Sequence, residues 1–334
     1  MASVSSSAML QASGTSPSGG DFSPDAAGGL RRAGRGNPAM VQQLPLGAGD
    51  RAGERDPGDG THEIAPDLAY RRLVMVNVVF VGRPGAGDRG WVLVDAGVQG
   101  TKALIRSAAA ERFGVDARPS AIVLTHGHFD HVGALEHLAE EWDAPVYAHP
   151  LEHPYLTGKA SYPPGDPAVG GGLMATLAGL YPTKPVDVFG RLRPLPQDGD
   201  VPGMPGWRWV HTPGHAPGHV SLWREADRAL VVGDAFVTTA PESAYATAVQ
   251  APEMHGPPRY FTINWEQARG SVETLAGLEP DLVVTGHGRA MQGAAMGEAL
   301  RRLARDFTGV AVPAQGRYVD HPARAEDGSA YRPA

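Results

Sequence analysis

The segment at residues 125–131 limits the possible fold and chemistry of this chain more than any other part of the sequence. It reads THGHFDH and places His126, His128, Asp130 and His131 within six positions. A short apolar run precedes it, and residues 131–142 follow with apolar side chains at helical spacing. A loop between strand and helix lets neighbouring side chains face one cavity, and the glycine at 127 gives the backbone freedom to do so. Since imidazole and carboxylate groups bind zinc or iron well, the segment predicts a metal site rather than a polar surface loop.

The same arrangement recurs later in the chain. Three further apolar stretches are predicted to be strands, and each is followed by a histidine or aspartate beside glycine. These are the strands at 208–211, 229–232 and 281–285, followed by His215 and His219, by Asp234, and by His287. Side chains at the carboxyl ends of several strands converge on one crevice in an α/β sheet. We therefore expect these residues to join the first cluster.

Composition limits both the ligands and the partners. The chain has no cysteine, so disulfides and thiolate ligands are excluded. The formal net charge of -7 argues against nucleic acid as a partner, and we expect a small-molecule substrate. The sequence has no apolar run of roughly 20 residues and no secretory signal pattern. These features predict a cytoplasmic protein that binds no membrane and can form a homo-oligomer.

The domain organisation follows from the distribution of apolar residues. Residues 1–60 are rich in Ser, Gly, Ala, Pro and Asp, so we expect a disordered N-terminal extension. Residues 61–310 alternate predicted strands and helices and are interpreted as one α/β catalytic domain. Residues 311–334 are predicted to be a loose C-terminal tail.

The order of these motifs resembles that of the metallo-β-lactamase fold superfamily. The matching residues run from His126 through His215 and Asp234 to His287, and Asp95 in the sequence VDAG resembles the first motif of that family. The resemblance covers about residues 69–288 and implies a four-layer αββα sandwich. It also implies two divalent metal ions, zinc first, with iron or manganese as alternatives.

The resemblance assigns a role to each matching residue. It implies that one metal is held by His126, His128 and His215, that the other is held by Asp130, His131 and His287, and that Asp234 bridges them. Asp130 and Asp234 are then the catalytic residues. Asp95 and His219 are expected behind the ligands, where they hold them in place.

The ligand set resembles that of glyoxalase II-like thioesterases and of lactonases. We therefore expect a metal-dependent hydrolase in which a hydroxide activated by two metals attacks an ester, a lactone or a thioester. Segments 150–200 and 236–265, which contain most of the aromatic residues near the motifs, are predicted to form the substrate walls. Two alternatives remain: a mononuclear-iron persulfide dioxygenase and a phosphoester hydrolase.

Overall fold

The computed structural model describes residues 44–334, which belong to one compact unit. Residues 1–43, most of the predicted N-terminal extension, lie outside the described part. The strands are β1 (Leu44–Pro45), β2 (His62–Ala65), β3 (Leu68–Leu73), β4 (Val76–Val81), β5 (Val92–Val94), β6 (Ala121–Val123), β7 (Val146–Ala148), β8 (Ala160–Ser161), β9 (Leu192–Pro194), β10 (Trp207–His211), β11 (Val220–Arg224), β12 (Ala229–Gly233), β13 (Glu253–Met254), β14 (Leu282–Thr285), β15 (Met291–Gln292) and β16 (Arg332–Pro333).

Helices alternate with these strands along most of the chain. They are α1 (Lys102–Phe113), α2 (Phe129–Val132), α3 (Leu135–Glu141), α4 (His153–Leu156), α5 (Leu173–Thr176), α6 (Ala244–Val249), α7 (Trp265–Gly277), α8 (Ala294–Arg305), α9 (Phe307–Val310) and α10 (Arg317–Asp320). Among the described residues, no helix is long and apolar enough to cross a membrane.

Two large sheets form the centre of the fold. The first has seven strands in the order β2-β3-β4-β5-β6-β7-β9, and the second has five in the order β10-β11-β12-β14-β15. Strands β5, β6, β7 and β9 run parallel to one another, as do β12 and β14. Six of the seven predicted ligands follow the carboxyl ends of β6, β12 and β14, and His215 follows β10.

Successive side chains along the strands pack on opposite faces of each sheet, and this alternation builds the layers. In β12, Val231 packs between the two sheets, whereas Leu230 and Val232 face helices α7 and α8. Successive side chains of a strand point to opposite faces, so a strand covered on both sides is apolar throughout. Helices α1 and α3 cover the outer face of the first sheet in the same way. The predicted four-layer αββα sandwich is confirmed.

The helix predicted over residues 131–142 is divided into α2 and α3. Gly133 lies at the division, where its amide donates to the carbonyl of Gly97 at 2.7 Å. A Cβ atom at Gly133 would lie 2.1 Å from the amide nitrogen of Gln99, so only glycine permits this approach. The break therefore comes from tertiary contact, which the helical spacing of the sequence does not reveal.

Both ends of the described chain differ from the prediction. Within 44–60, β1 pairs with β13, and the buried Ala52 donates its amide to the carbonyl of Ala290 at 3.0 Å. Within 311–334, β16 pairs with β8, and Tyr318 and Ala330 are buried. The loose tail predicted at 311–334 is thus wrong. Leu44, Ala52, Tyr318 and Ala330 of these segments belong to the buried core clusters of the domain.

Candidate metal centre

The structure brings all seven predicted ligands to one edge of the two sheets. The loop after β6 and the helix α2 that follows it supply two each, the loop between β10 and β11 supplies one, and the residues just after β12 and β14 supply the others. Every one of these side chains is buried. The seven are His126, His128, Asp130, His131, His215, Asp234 and His287.

Their donor atoms form three overlapping groups, and the atoms within each group lie no more than 4.8 Å apart. The groups are His126, His128 and His215; His126, His131 and Asp234; and Asp130, His131 and His287.

The carboxylate of Asp234 lies between the other two groups. Its Oδ2 is 3.5 Å from Nε2 of His215, 3.6 Å from Nε2 of His131 and 3.2 Å from Nε2 of His287. One carboxylate thus reaches imidazoles of both groups, which is the geometry a bridging ligand requires.

Four of the five imidazoles are oriented by a polar partner at Nδ1, so that Nε2 faces the cluster. Thr125 Oγ1 lies 3.1 Å from Nδ1 of His126, and Thr262 Oγ1 lies 3.2 Å from Nδ1 of His215. His131 contacts Asp95 and His287 contacts a backbone carbonyl, both at 2.8 Å. Such partners fix the ring orientation of a ligating histidine.

The atoms that face the cluster fit a cation. Nε2 of His126, Nε2 of His131 and Oδ1 of Asp234 are buried and have no hydrogen-bond partner within residues 44–334. Buried polar atoms are nearly always satisfied, so three unpaired ones on residues of one donor group fit a bound cation. Nitrogen and carboxylate donors without sulfur suit zinc, iron or manganese.

The pKa values support the same interpretation. Burial lowers the pKa of His126 and His128 well below 6.5 and that of His215 to about 4. These three rings are therefore neutral, the form in which imidazole binds a metal. Burial alone would also lower the pKa of His287, but the carboxylate of Asp234 outweighs it and raises the value to about 9. A metal ion would take the place of that proton.

Asp95 and His219 contact residues of the His/Asp cluster. Asp95 accepts hydrogen bonds from the amide and hydroxyl of Thr125, both at 2.8 Å, in addition to its contact with His131. Nε2 of His219 accepts the amide of Asp234 at 2.8 Å. Because that nitrogen is already engaged, His219 supports the position of Asp234 and is not among the metal-facing groups.

Two residues near the cluster were not found from the sequence. The side-chain amide of Asn77 donates to the carbonyls of Thr285 and Gly288, on either side of His287. Glu152 accepts amides from two ligand loops, and burial raises its pKa to about 7. Neither residue stands near a ligand in sequence, so no local pattern could have indicated them.

The predicted walls are present only in part. The ring of Phe261 stacks on His128 with centroids 4.8 Å apart, and Tyr181 packs against Phe129 at 5.6 Å beside it. Tyr260 and Tyr162 also border the cluster. By contrast, three aromatic residues of the predicted walls lie elsewhere: Tyr245 is 76% exposed, Tyr155 packs on Tyr162 and Tyr331, and Trp265 packs on Phe307.

A buried ion pair fastens the segment that carries Tyr260 and Phe261. Oε2 of Glu242 lies 3.2 Å from Nε2 of His255, and Oε1 accepts the amide of Arg259 at 2.8 Å. The guanidinium of Arg259 in turn donates to the carbonyls of Val310 and Ala311. This network connects the segment that carries Tyr260 and Phe261 to the end of α9.

Glu242→Gln is expected to lower the free energy of unfolding by about 2 kcal/mol at pH 6, since hydrogen bonds to a charged group contribute roughly that much. Burial opposes ionisation, but His255 outweighs it and lowers the pKa of Glu242 from 4.5 to about 2, whereas Glu242 raises the pKa of His255. The stabilisation is therefore lost as the pH falls from 4.5 towards 2, and again as the pH rises through the raised pKa of His255. Urea unfolding across this range measures it; equal stability of variant and wild type would contradict the prediction.

Two stacked sheets covered by helices, with a buried His/Asp cluster at one edge, define an α/β protein built around a metal centre. Comparison with known proteins identifies its family: residues 71–287 match the model of the metallo-beta-lactamase superfamily. The chain belongs to that superfamily.

Two relatives come from Bacillus subtilis strain 168, and both bear the description probable metallo-hydrolase. YflN is 43% identical over 248 residues, which cover 74% of this chain and 94% of YflN. YybB is 29% identical over 197 residues, which cover 59% of this chain and 74% of YybB. Among solved structures, a beta-lactamase domain protein from Burkholderia ambifaria superimposes with a TM-score of 0.53 at 22% identity, covering 77% of this chain and 80% of that one. At that identity the likeness concerns the fold alone.

Proposed function

We propose that this protein is a metal-dependent hydrolase that binds two divalent ions, zinc first, and cleaves an ester, a lactone or a thioester. The position of Asp234 Oδ2, within 3.2–3.6 Å of imidazoles from both ligand groups, is the observation that carries the proposal. The description of YflN and YybB as probable metallo-hydrolases supports it.

Two of the three donor-atom groups support the proposed ligand assignment. His126, His128 and His215 would hold the first metal, Asp130, His131 and His287 the second, and Asp234 both. When bound, a pair of ions lowers the pKa of a shared water towards roughly 7 and polarises the oxygen under attack.

The side chains of the centre would handle the proton and orient the reactants. Burial raises the pKa of Asp130, and its Oδ2 lies 3.5 Å from Nε2 of His287. A carboxylate at this position could accept the proton that the attacking water loses and deliver it to the leaving group. Asp234, whose pKa is held well below 3.8 because His287 and His131 outweigh its burial, stays ionised and keeps its bridging position.

The aromatic wall suits a substrate with an apolar acyl portion. Phe129, Tyr181, Tyr260 and Phe261 pack as one cluster beside His128 and Asp130. Tyr260 and Phe261 are buried, whereas Phe129 and Tyr181 are partly exposed and would offer apolar contact area to a substrate. The proposed esters, lactones and thioesters all present a carbonyl next to a hydrocarbon chain.

Metal analysis together with a substrate panel tests the proposal. The purified protein is expected to contain close to two zinc, manganese or cobalt ions per chain, measured by inductively coupled plasma mass spectrometry. A chelator should abolish hydrolysis of the panel, and added Zn²⁺ should restore it.

The alternatives predict different outcomes of the same experiment. About one iron per chain with oxygen consumption on a persulfide would replace the hydrolase with the dioxygenase. Turnover of phosphoesters alone would change the bond class. A metal-free protein that hydrolyses the panel at full rate would exclude a metal-dependent mechanism.

A further inference from the structure

Glu152 connects the two loops that carry the three histidines of the first group. Its Oε2 accepts the amide of Gly127 at 2.9 Å, and its Oε1 accepts the amide of Gly218 at 2.7 Å. Gly127 separates His126 from His128, and Gly218 lies between His215 and His219. One fully buried carboxylate thus holds both loops by their backbones, although the loops are about 90 residues apart in sequence.

The contact leaves no free space. A Cβ atom at Gly218 would lie 2.8 Å from Cγ of Glu152, and one at Gly127 would lie 3.0 Å from Oη of Tyr162 and 3.4 Å from Oε2 of Glu152. A side chain at residue 127 would therefore press against Tyr162, although Gly127 does not adopt the left-handed backbone that glycine alone favours. Both loops therefore pack against the carboxylate of Glu152, and a different side chain at residue 152 would shift them.

Tyr162 completes the contact. Its hydroxyl donates to Oε2 of Glu152 and lies 2.9 Å from the amide of Gly127, while its ring packs on His128 with centroids 4.3 Å apart. The other face of the ring stacks on Tyr155, whose hydroxyl donates to the carbonyl of Ala330 at 2.8 Å. Tyr155 thereby connects this contact to the C-terminal segment.

The chemistry of these contacts requires a carboxylate. Burying an acidic group is costly, and within residues 44–334 Glu152 forms no ion pair with Lys, Arg or His. A glutamine of the same shape has only one acceptor oxygen, so its NH₂ group would face one of the two backbone amides, donor against donor. The carboxylate offers two acceptors in one plane, which is what two converging N–H groups need.

We propose that Glu152 is a positioning residue that sets the distance between the His126–His128 loop and the His215 loop, and thereby the affinity and geometry of the first metal. The distance it governs is that between Nδ1 of His128 and Nε2 of His215, which is 3.0 Å. The inference rests on the proposed metal-binding function of these histidines. The second group, Asp130, His131 and His287, is oriented by Asp95, Asp234 and a backbone carbonyl, none of them in contact with Glu152.

Stepwise metal titration of Glu152→Gln tests the inference. Apo wild type and apo variant are titrated with Zn²⁺ against a chromophoric chelator, and with Co²⁺ while the visible absorption of the bound ion is recorded. One of the two dissociation constants should rise about 10- to 100-fold, the usual effect of removing a group that orients ligands, while the other changes far less. The absorption bands of the weakened Co²⁺ site should also shift, which a general loss of stability would not produce.

Asp166→Asn is the matched control. Asp166 is a buried carboxylate that also accepts two backbone amides, those of Ala168 and Arg317, but it touches neither ligand loop. Its variant should lower the unfolding temperature while keeping both dissociation constants and the Co²⁺ spectrum of the wild type.

Each outcome has a definite meaning. Unchanged dissociation constants and Co²⁺ bands in Glu152→Gln would overturn the inference while leaving the metal site itself intact. A wild type that binds neither ion would instead remove the proposed function. If Glu152→Gln does not fold, Tyr162→Phe decides: it keeps the stacked ring and removes the hydroxyl, and it should weaken the same metal, whereas wild-type affinity would overturn the inference.

Discussion

Asp234→Asn is expected to reduce hydrolysis of the best substrate by at least about 1000-fold while the chain stays folded. The amide keeps the shape of the side chain but loses its charge, and one of its two terminal atoms becomes a donor that faces imidazoles and cations. Two-metal stabilisation supplies several kcal/mol of the barrier reduction, and each 1.36 kcal/mol corresponds to tenfold in rate. Because Asp234 Oδ2 reaches His131, His215 and His287, its loss should disturb both ions at once.

Metal content and activity have to be measured together for this variant. We expect fewer than two ions per chain and an unchanged circular dichroism spectrum. Asp200→Asn is the control, since its side chain is 70% exposed and, within residues 44–334, pairs only with Arg208 at the surface. That control should keep full activity and full metal content. An Asp234→Asn enzyme with wild-type turnover would contradict the two-metal scheme.

The clustering of these His and Asp side chains could be predicted from the sequence because each stands near a strand end, and strand ends are visible in the pattern of apolar residues. His126, His128, Asp130 and His131 occupy one short segment after β6, and the α/β pattern brings the loops after β12 and β14 to the same edge. The position of each ligand therefore depends on local sequence and on a general rule of sheet topology.

What surrounds the ligands could not be predicted in the same way. Asn77 holds the loop of His287 from more than 200 positions away, and Glu152 holds loops on either side of itself in the sequence. A single glutamate or asparagine has no pattern that separates these roles from a solvated surface residue. The ends of the domain were missed for a related reason, because Ala52 and Ala330 are buried within polar stretches whose composition alone suggests disorder.

Gly286→Ala should reduce activity at least about 100-fold, although glycine 286 contributes no side chain to the centre. A Cβ atom there would lie 2.0 Å from Oδ1 of Asp234 and 2.9 Å from Cε1 of His131, so something must move. The backbone at 286 cannot retreat easily, since its amide donates to the carbonyl of Gly233 at 2.8 Å and its carbonyl accepts the amide of Asn77 at 2.7 Å. The methyl group therefore displaces the carboxylate and the imidazole.

A displacement of about 1 Å at a catalytic group costs on the order of 100-fold in rate, which sets the expected loss. The variant should also hold less metal, measured on the same sample as its activity and its unfolding temperature. Gly270→Ala is the control, because it lies in α7 with nothing within 4 Å of the added atom and should stabilise the helix by roughly 0.5–1 kcal/mol. If Gly286→Ala retained two ions and full turnover, Asp234 would have to be free to shift by more than an ångström without consequence. Such freedom is incompatible with a carboxylate that bridges two metals.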